Sequence, residues 1–216
     1  MTELVSPLLA GLGVTIQLTV GGALFAVIAA VIAGLSRISP ITPLRWLAAT
    51  YIEVFRGTSA LVQLFWFYFV LPLFGISLDA KVVGILVLGL NAGAYGAEVV
   101  RGAILAVPRG QWEAATALNL SGRRTMRRII LPQAVPAMLP PAGNLLIELL
   151  KNTSLVSLIT ITDLTFSAQI LRAETLKTTE IFSVVLLMYF GAAMVIALLM
   201  RLLERALARS QGRIAT

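Results

Sequence analysis

The 216-residue chain contains no cysteine and no histidine. Disulfides, thiolate nucleophiles, Cys/His zinc sites and imidazole general bases are therefore excluded together, and most hydrolytic chemistry goes with them. Charge is scarce: 12% of residues are Asp, Glu, Lys or Arg, against about 25% in a soluble domain. No G-x-x-x-x-G-K-[ST] string occurs, so any ATP-driven work needs an ATPase on another chain, and no cofactor is expected on this one. What is abundant is apolar surface, with 58% hydrophobic residues and a mean hydropathy of +0.93. A chain this short has too little interior to hide that much apolar area from water, so its solvent is expected to be lipid.

A membrane-crossing helix needs about 20 mostly apolar residues at about 1.5 Å each. The gaps between charges supply five candidates. Residues 4–36 are uncharged and form the first; no Lys or Arg precedes it and no small-x-small site closes it, so it is expected to remain rather than be cleaved. The second, 57–78, is rich in aromatics from Phe65 to Phe69 and follows an amphipathic lead-in over 44–55 opened by Pro43. The third, 82–97, covers about 24 Å and leaves Glu98 near the inner boundary. The fourth, 129–147, carries Pro132, Pro136, Pro140 and Pro141 and is expected to be broken or bent. The fifth is 181–200, while 152–162 is too short to cross, so 152–180 reads as an extension of helix four followed by an external interfacial segment. The expected fold is all-α and integral to the membrane, with five transmembrane helices. Gly22, Ala26, Ala30 and Gly34 recur every four residues and give the first helix a face for close packing.

Orientation follows from the basic residues. Thirteen of the 17 fall in loop 36–56, loop 98–128 and the tail after residue 200. That side is expected to be cytoplasmic, which puts the N-terminus outside and the C-terminus inside. Membrane orientation accounts for the basicity without nucleic acid as a partner.

The longest non-spanning cytoplasmic stretch, 110–128, reads as two short helices joined by a turn. Glu113-Ala114-Ala115 lies in helix-forming sequence, Asn119 tolerates a left-handed turn, and Ser121 is placed to cap the second helix. Ala114 and Ala115 let another backbone approach, Glu113 offers one charge beside them, and Leu131-Pro132 opens the next membrane helix.

This segment resembles the coupling loop of the permease subunits of ATP-binding-cassette importers, in which E-A-A is followed four residues later by Gly and ten residues beyond that by I-x-L-P. Glu113, Ala114, Ala115, Ile129, Leu131 and Pro132 fit that pattern, and Asn119 stands in for the Gly. The resemblance runs from about residue 11 to 203 and includes Tyr51 to Thr58, Leu90 to Gly102 and Leu149 to Leu155, which are similar to the polar-amino-acid branch. That branch usually has Pro where Ser59 stands. The resemblance implies a type I permease domain over 11–203 and a basic cytoplasmic tail over 204–216. It also implies a multi-pass place in a prokaryotic plasma membrane, two ATPase subunits, a second permease subunit, identical or different, and an extracytoplasmic solute-binding protein. The implied cargo is a small zwitterion, either a polar amino acid or a compatible solute such as ectoine or hydroxyectoine. A self-sufficient channel or secondary carrier is the alternative; it calls for carboxylates at the bilayer centre or inverted repeats, and neither is visible in the sequence. An intramembrane protease lacks its His and its paired aspartates.

Two charge pairs sit near helix ends at i, i+3 spacing. Glu98 and Arg101 are expected to pair structurally near the cytoplasm. Asn144, Glu148 and Lys151 form one stripe on helix four, with Glu148 expected near the outer hydrocarbon edge. The stripe offers a dipole, an anion and a cation to a passing zwitterion, and self-pairing of Glu148 with Lys151 is its competing reading.

Overall fold

The computed structural model describes residues 2–212, with side chains over 5–207. The α-helices among them are α1 (Thr2–Arg37), α2 (Thr42–Gly57), α3 (Ala60–Phe65), α4 (Ala80–Leu105), α5 (Arg109–Ala117), α6 (Gly122–Thr125), α7 (Leu131–Asn152), α8 (Leu164–Thr175) and α9 (Thr178–Gly212). π-turns at Trp66–Val70 and Met126–Ile130 extend α3 and join α6 to α7, and 3-10 turns occupy Leu71–Phe74 and Thr153–Ile159. Residues 204–212, expected to belong to the tail, continue α9, and 213–216 lie outside the described residues.

Four helical stretches are long and apolar enough to cross a membrane: Val5–Arg37, Ala80–Leu105, Gly122–Ile159 and Thr178–Leu207. A fifth crossing exists only as a bent pair, Thr42–Gly57 with Ala60–Phe74, at 105°. The expected lead-in over 44–55 lies within α2, and the second span expected over 57–78 is helical over Ala60–Phe74. Thr58 (φ −121°, ψ 153°) and Ser59 (φ −68°, ψ 134°) are extended and separate the two. The piece beyond the break measures about 22 Å, less than the hydrocarbon core. Ser59 has the φ of a proline and follows an extended residue, so this backbone is already the one that Pro at this position requires.

The expected break in helix four is absent. α7 runs on through Pro136, Pro140 and Pro141, whose fixed φ suits a helix although each removes a backbone donor. The irregularity lies at its foot, in the π-turn Met126–Ile130.

The small-residue face of α1 packs on α4. A Cβ on Gly34 would lie 2.8 Å from the Ala97 carbonyl oxygen, and one on Gly93 would lie 2.8 Å from Ala29 Cβ and 3.1 Å from the Ala26 carbonyl oxygen. Larger side chains enter the seam only where a glycine faces them, Phe25 against Gly89 and Ile85 against Gly21. Outside it, Leu18, Leu64, Val83, Val87 and Val156 form a core of α1, α3 and α4 under the 3-10 turn.

The break after α2 would strand polar backbone in an apolar layer, and two buried amides prevent this. Gln63 Nε2 donates to the carbonyls of Phe55 (2.9 Å) and Thr58 (3.2 Å) and to Thr58 Oγ1 (2.7 Å). Asn91 Nδ2 donates to the Phe55 carbonyl (2.9 Å) and Gln63 Oε1 (3.2 Å), which ties the bend to the middle of α4.

Candidate functional site: a short exposed helix and a pocket between α4 and α7

α5 projects between α4 and the α6 segment. Glu113 and Ala114 are exposed, whereas Ala115 is buried at 1% exposure, so the three residues divide between an outer face and the seat of the helix. Trp112, like Met126 and Ile129, packs against the buried cluster that contains Val107 and Ile130.

The helix ends in a complete Schellman turn. The Leu120 N–H donates to the Ala115 carbonyl (3.0 Å) and the Asn119 N–H to the Thr116 carbonyl (2.9 Å), with Asn119 left-handed at φ 51°. Asn119 thereby takes the conformation that Gly takes in such a turn. Ser121 occupies the cap position of α6, but its side chain makes no capping bond; Thr125 Oγ1 donates to its carbonyl instead (3.2 Å). Leu131 and Pro132 open α7 at Met126–Ile130, half-buried and exposed respectively.

Glu98 joins two helices. Its Oε2 accepts from Arg101 Nη2 (2.8 Å) and Nε (2.9 Å), and its Oε1 lies 3.9 Å from Arg37 Nε at the end of α1.

Glu148 lines a small pocket with Leu88, Asn91, Ala92, Tyr95, Leu145, Leu149 and Asn152. Its neighbours on α4 belong to the middle of that helix, and Glu148 itself is exposed. The span expected over 129–147 belongs to a longer apolar helix, Gly122–Ile159. Among the described residues Glu148 and Lys151 form no ion pair. Asn144 and Lys151 are exposed and do not line the pocket.

Two features escaped the sequence reading. Asn91 has spent its amide hydrogens on the bend, and its Oδ1 accepts from no protein group among the described residues, so it offers the pocket an acceptor. The Arg56 guanidinium, itself exposed, lies 5.2 Å from the centre of the Tyr95 ring. An Asn in an otherwise apolar run was a visible signal; the approach of Arg56 to α4 was not, because it follows from the bend.

The chain matches the family described as binding-protein-dependent transport system inner membrane component over residues 22–209. It is 47% identical to the probable amino-acid ABC transporter permease protein y4tF of Sinorhizobium fredii (strain NBRC 101917 / NGR234), over 97% of this chain and 91% of that protein. It is 38% identical to the L-cystine transport system permease protein TcyB of Bacillus subtilis (strain 168), over 92% and 86% of the two. Identity to the glutamine transport system permease protein GlnP of Escherichia coli (strain K12) is 36%, over 92% and 91%. The crystal structure of an amino acid ABC transporter with histidines superposes with a TM-score of 0.88 at 36% identity, covering 95% of this chain and 96% of that one. An inward-facing form of the MetNI methionine ABC transporter shares the fold, with a TM-score of 0.79 at 20% identity over 93% and 96%. With matches this long and an all-helical membrane fold in common, the chain belongs to the family of binding-protein-dependent transport system inner membrane components.

Proposed function

We propose that this permease forms the membrane pathway for a polar amino acid in an ATP-driven importer of the bacterial plasma membrane, with a type I domain over 11–203. The observation that carries this reading is α5: an exposed Glu113 and Ala114 on a short helix whose end is locked by Asn119 and whose seat is fixed by Trp112 and Ala115. Such a helix presents a rigid, nearly side-chain-free face to a partner groove. Two ATPase subunits occupy that role, because the chain has no phosphate-binding loop of its own. A second permease subunit completes the pathway, and a match to a further permease of the same Sinorhizobium strain, y4tG (39% identity over 74% of this chain), supports a pair of unlike subunits. An external solute-binding protein delivers the cargo.

The Glu148 carboxylate, exposed where it lines the pocket, receives the ammonium group of the zwitterion, with Asn91 Oδ1 beside it as a second acceptor. Asn144 and Lys151 lie on the same helix outside the pocket and belong to the approach. Ectoine presents a comparable charge pair, so competition between ectoine, cystine and glutamine for uptake identifies the cargo. The decisive experiment for coupling is Glu113→Arg. Insertion and folding stay unchanged because the residue is exposed, while ATPase co-purification and uptake both fall. Normal uptake by that variant removes the coupling role.

A further inference from the structure

A coupling helix is useful only if its displacement reaches the residues that hold the cargo. α5 packs on the rest of the chain mainly through Trp112 and Ala115, and apolar contact of that kind is non-directional: it resists separation but resists rotation and sliding weakly. A side-chain hydrogen bond ties α5 to the foot of α7. Gln133 Nε2 donates to Gln111 Oε1 (3.2 Å) and also to the Ile129 carbonyl (2.9 Å). Gln111 belongs to α5 and Gln133 to the first turn of α7, while Ile129 lies in the π-turn Met126–Ile130 that joins the cytoplasmic segment to the span. One amide therefore fastens three pieces: the helix that meets the partner, the irregular turn where the segment could pivot, and the start of the helix that carries Glu148 about 22 Å further along.

We propose that Gln111 and Gln133 are positioning residues for transport, an amide clasp that makes α5 and the lower part of α7 move as one body when the ATPases close. The clasp rests on the coupling role of α5 given under Proposed function. It gives the joint the directional contact that the apolar seat lacks, so a push on α5 becomes a rotation or tilt of α7 and hence a displacement of Glu148 at the pocket. Without it, α5 follows the ATPases while α7 lags behind, and nucleotide-driven motion is lost at the π-turn.

The absence of cysteine allows a direct test. Spin labels at Ala117→Cys and Ala137→Cys, both exposed positions on α5 and α7, report the distance between the two helices in the full complex, with nucleotide absent and with ATP trapped. In the otherwise wild-type complex the distribution is narrow and the same in both states. With Gln133→Leu, or with Gln111→Leu, ATPase co-purification is retained while the distribution broadens about two-fold and shifts between the states, in keeping with the loss of one hydrogen bond. The pair Gln111→Glu with Gln133→Lys, which rebuilds the bridge with opposite charges, restores the narrow distribution. The clasp is overturned if the leucine variants keep the wild-type distribution in both states, or if the distance already shifts with nucleotide in the wild type. Glu113→Arg separates the two ideas: if it retains ATPase and uptake, the coupling role of α5 fails and the clasp with it. If it uncouples while the leucine variants stay rigid, the clasp alone fails.

Discussion

Asn119 holds a backbone conformation that costs most residues about 1–2 kcal/mol, and it does so to close the Schellman turn that ends α5. Asn119→Gly should leave ATPase co-purification intact. Asn119→Val, β-branched and strained at positive φ, should weaken it by about ten-fold, and equal recovery of ATPase by both variants would dissociate the turn from docking. Glu148 poses a different test, since its carboxylate stands beside the middle of α4 with no ion pair among the described residues. Glu148→Gln should raise the half-saturation concentration for uptake by about ten-fold, the loss expected for a single charge-assisted contact, with ATPase assembly unchanged. Full transport with unchanged preference in the Glu148→Gln, Lys151→Met double variant would show that neither charge meets the cargo. The turn at Asn119 could be read in advance because turn chemistry is local. The Asn91 acceptor and the Arg56 cation could not, since they depend on a bend that brings residues from α2 to the middle of α4.

Among the elements, α8 is anchored by a buried carboxylate. Asp163 caps it, with Oδ1 accepting from the Phe166 N–H (2.9 Å) and Oδ2 3.4 Å from the Tyr189 hydroxyl on α9. Burial pushes this carboxyl above the ordinary carboxylate range, while the hydrogen bonds from Phe166, Thr165 and Tyr189 pull the other way. The folded protein therefore binds this proton more tightly than the unfolded chain does. Its stabilising contribution is complete below the ordinary carboxylate pKa and is lost as pH rises through the raised one. Asp163→Asn keeps a capping oxygen but cannot ionise, so the thermal midpoint of the variant should decline less than that of the wild type between about pH 4 and pH 8. Parallel declines would assign the pH dependence to other groups. At this scale the sequence located α1, α4 and α9 well, because uncharged runs of sufficient length leave little choice. It separated the lead-in from the second span near Gly57 but gave no sign of the 105° bend between them, which depends on the extended Thr58 and Ser59. Nor did it show that α7 continues unbroken through Pro136, Pro140 and Pro141.

For the molecule as a whole, the excess of arginine on one side predicts its placement. Reporters fused after Gly75 should be external, and reporters after Gly110 or Leu207 cytoplasmic; an external reporter at Leu207 would mean that the bent pair Thr42–Gly57 with Ala60–Phe74 does not complete a crossing. The seam between α1 and α4 has a consequence for how the molecule assembles. Its small residues repeat every four positions, so a slip of about 6 Å would again set glycine and alanine face to face, but it would drive Phe25 and Ile85 off the glycines that admit them, Gly89 and Gly21. The same register is held again where Thr15 Oγ1 accepts the Leu164 N–H (3.2 Å) and Arg37 meets Glu98 (3.9 Å). Helix α1 therefore finds its step on α4 early in synthesis, and residue 164, made much later, locks an alignment that the glycines have already chosen.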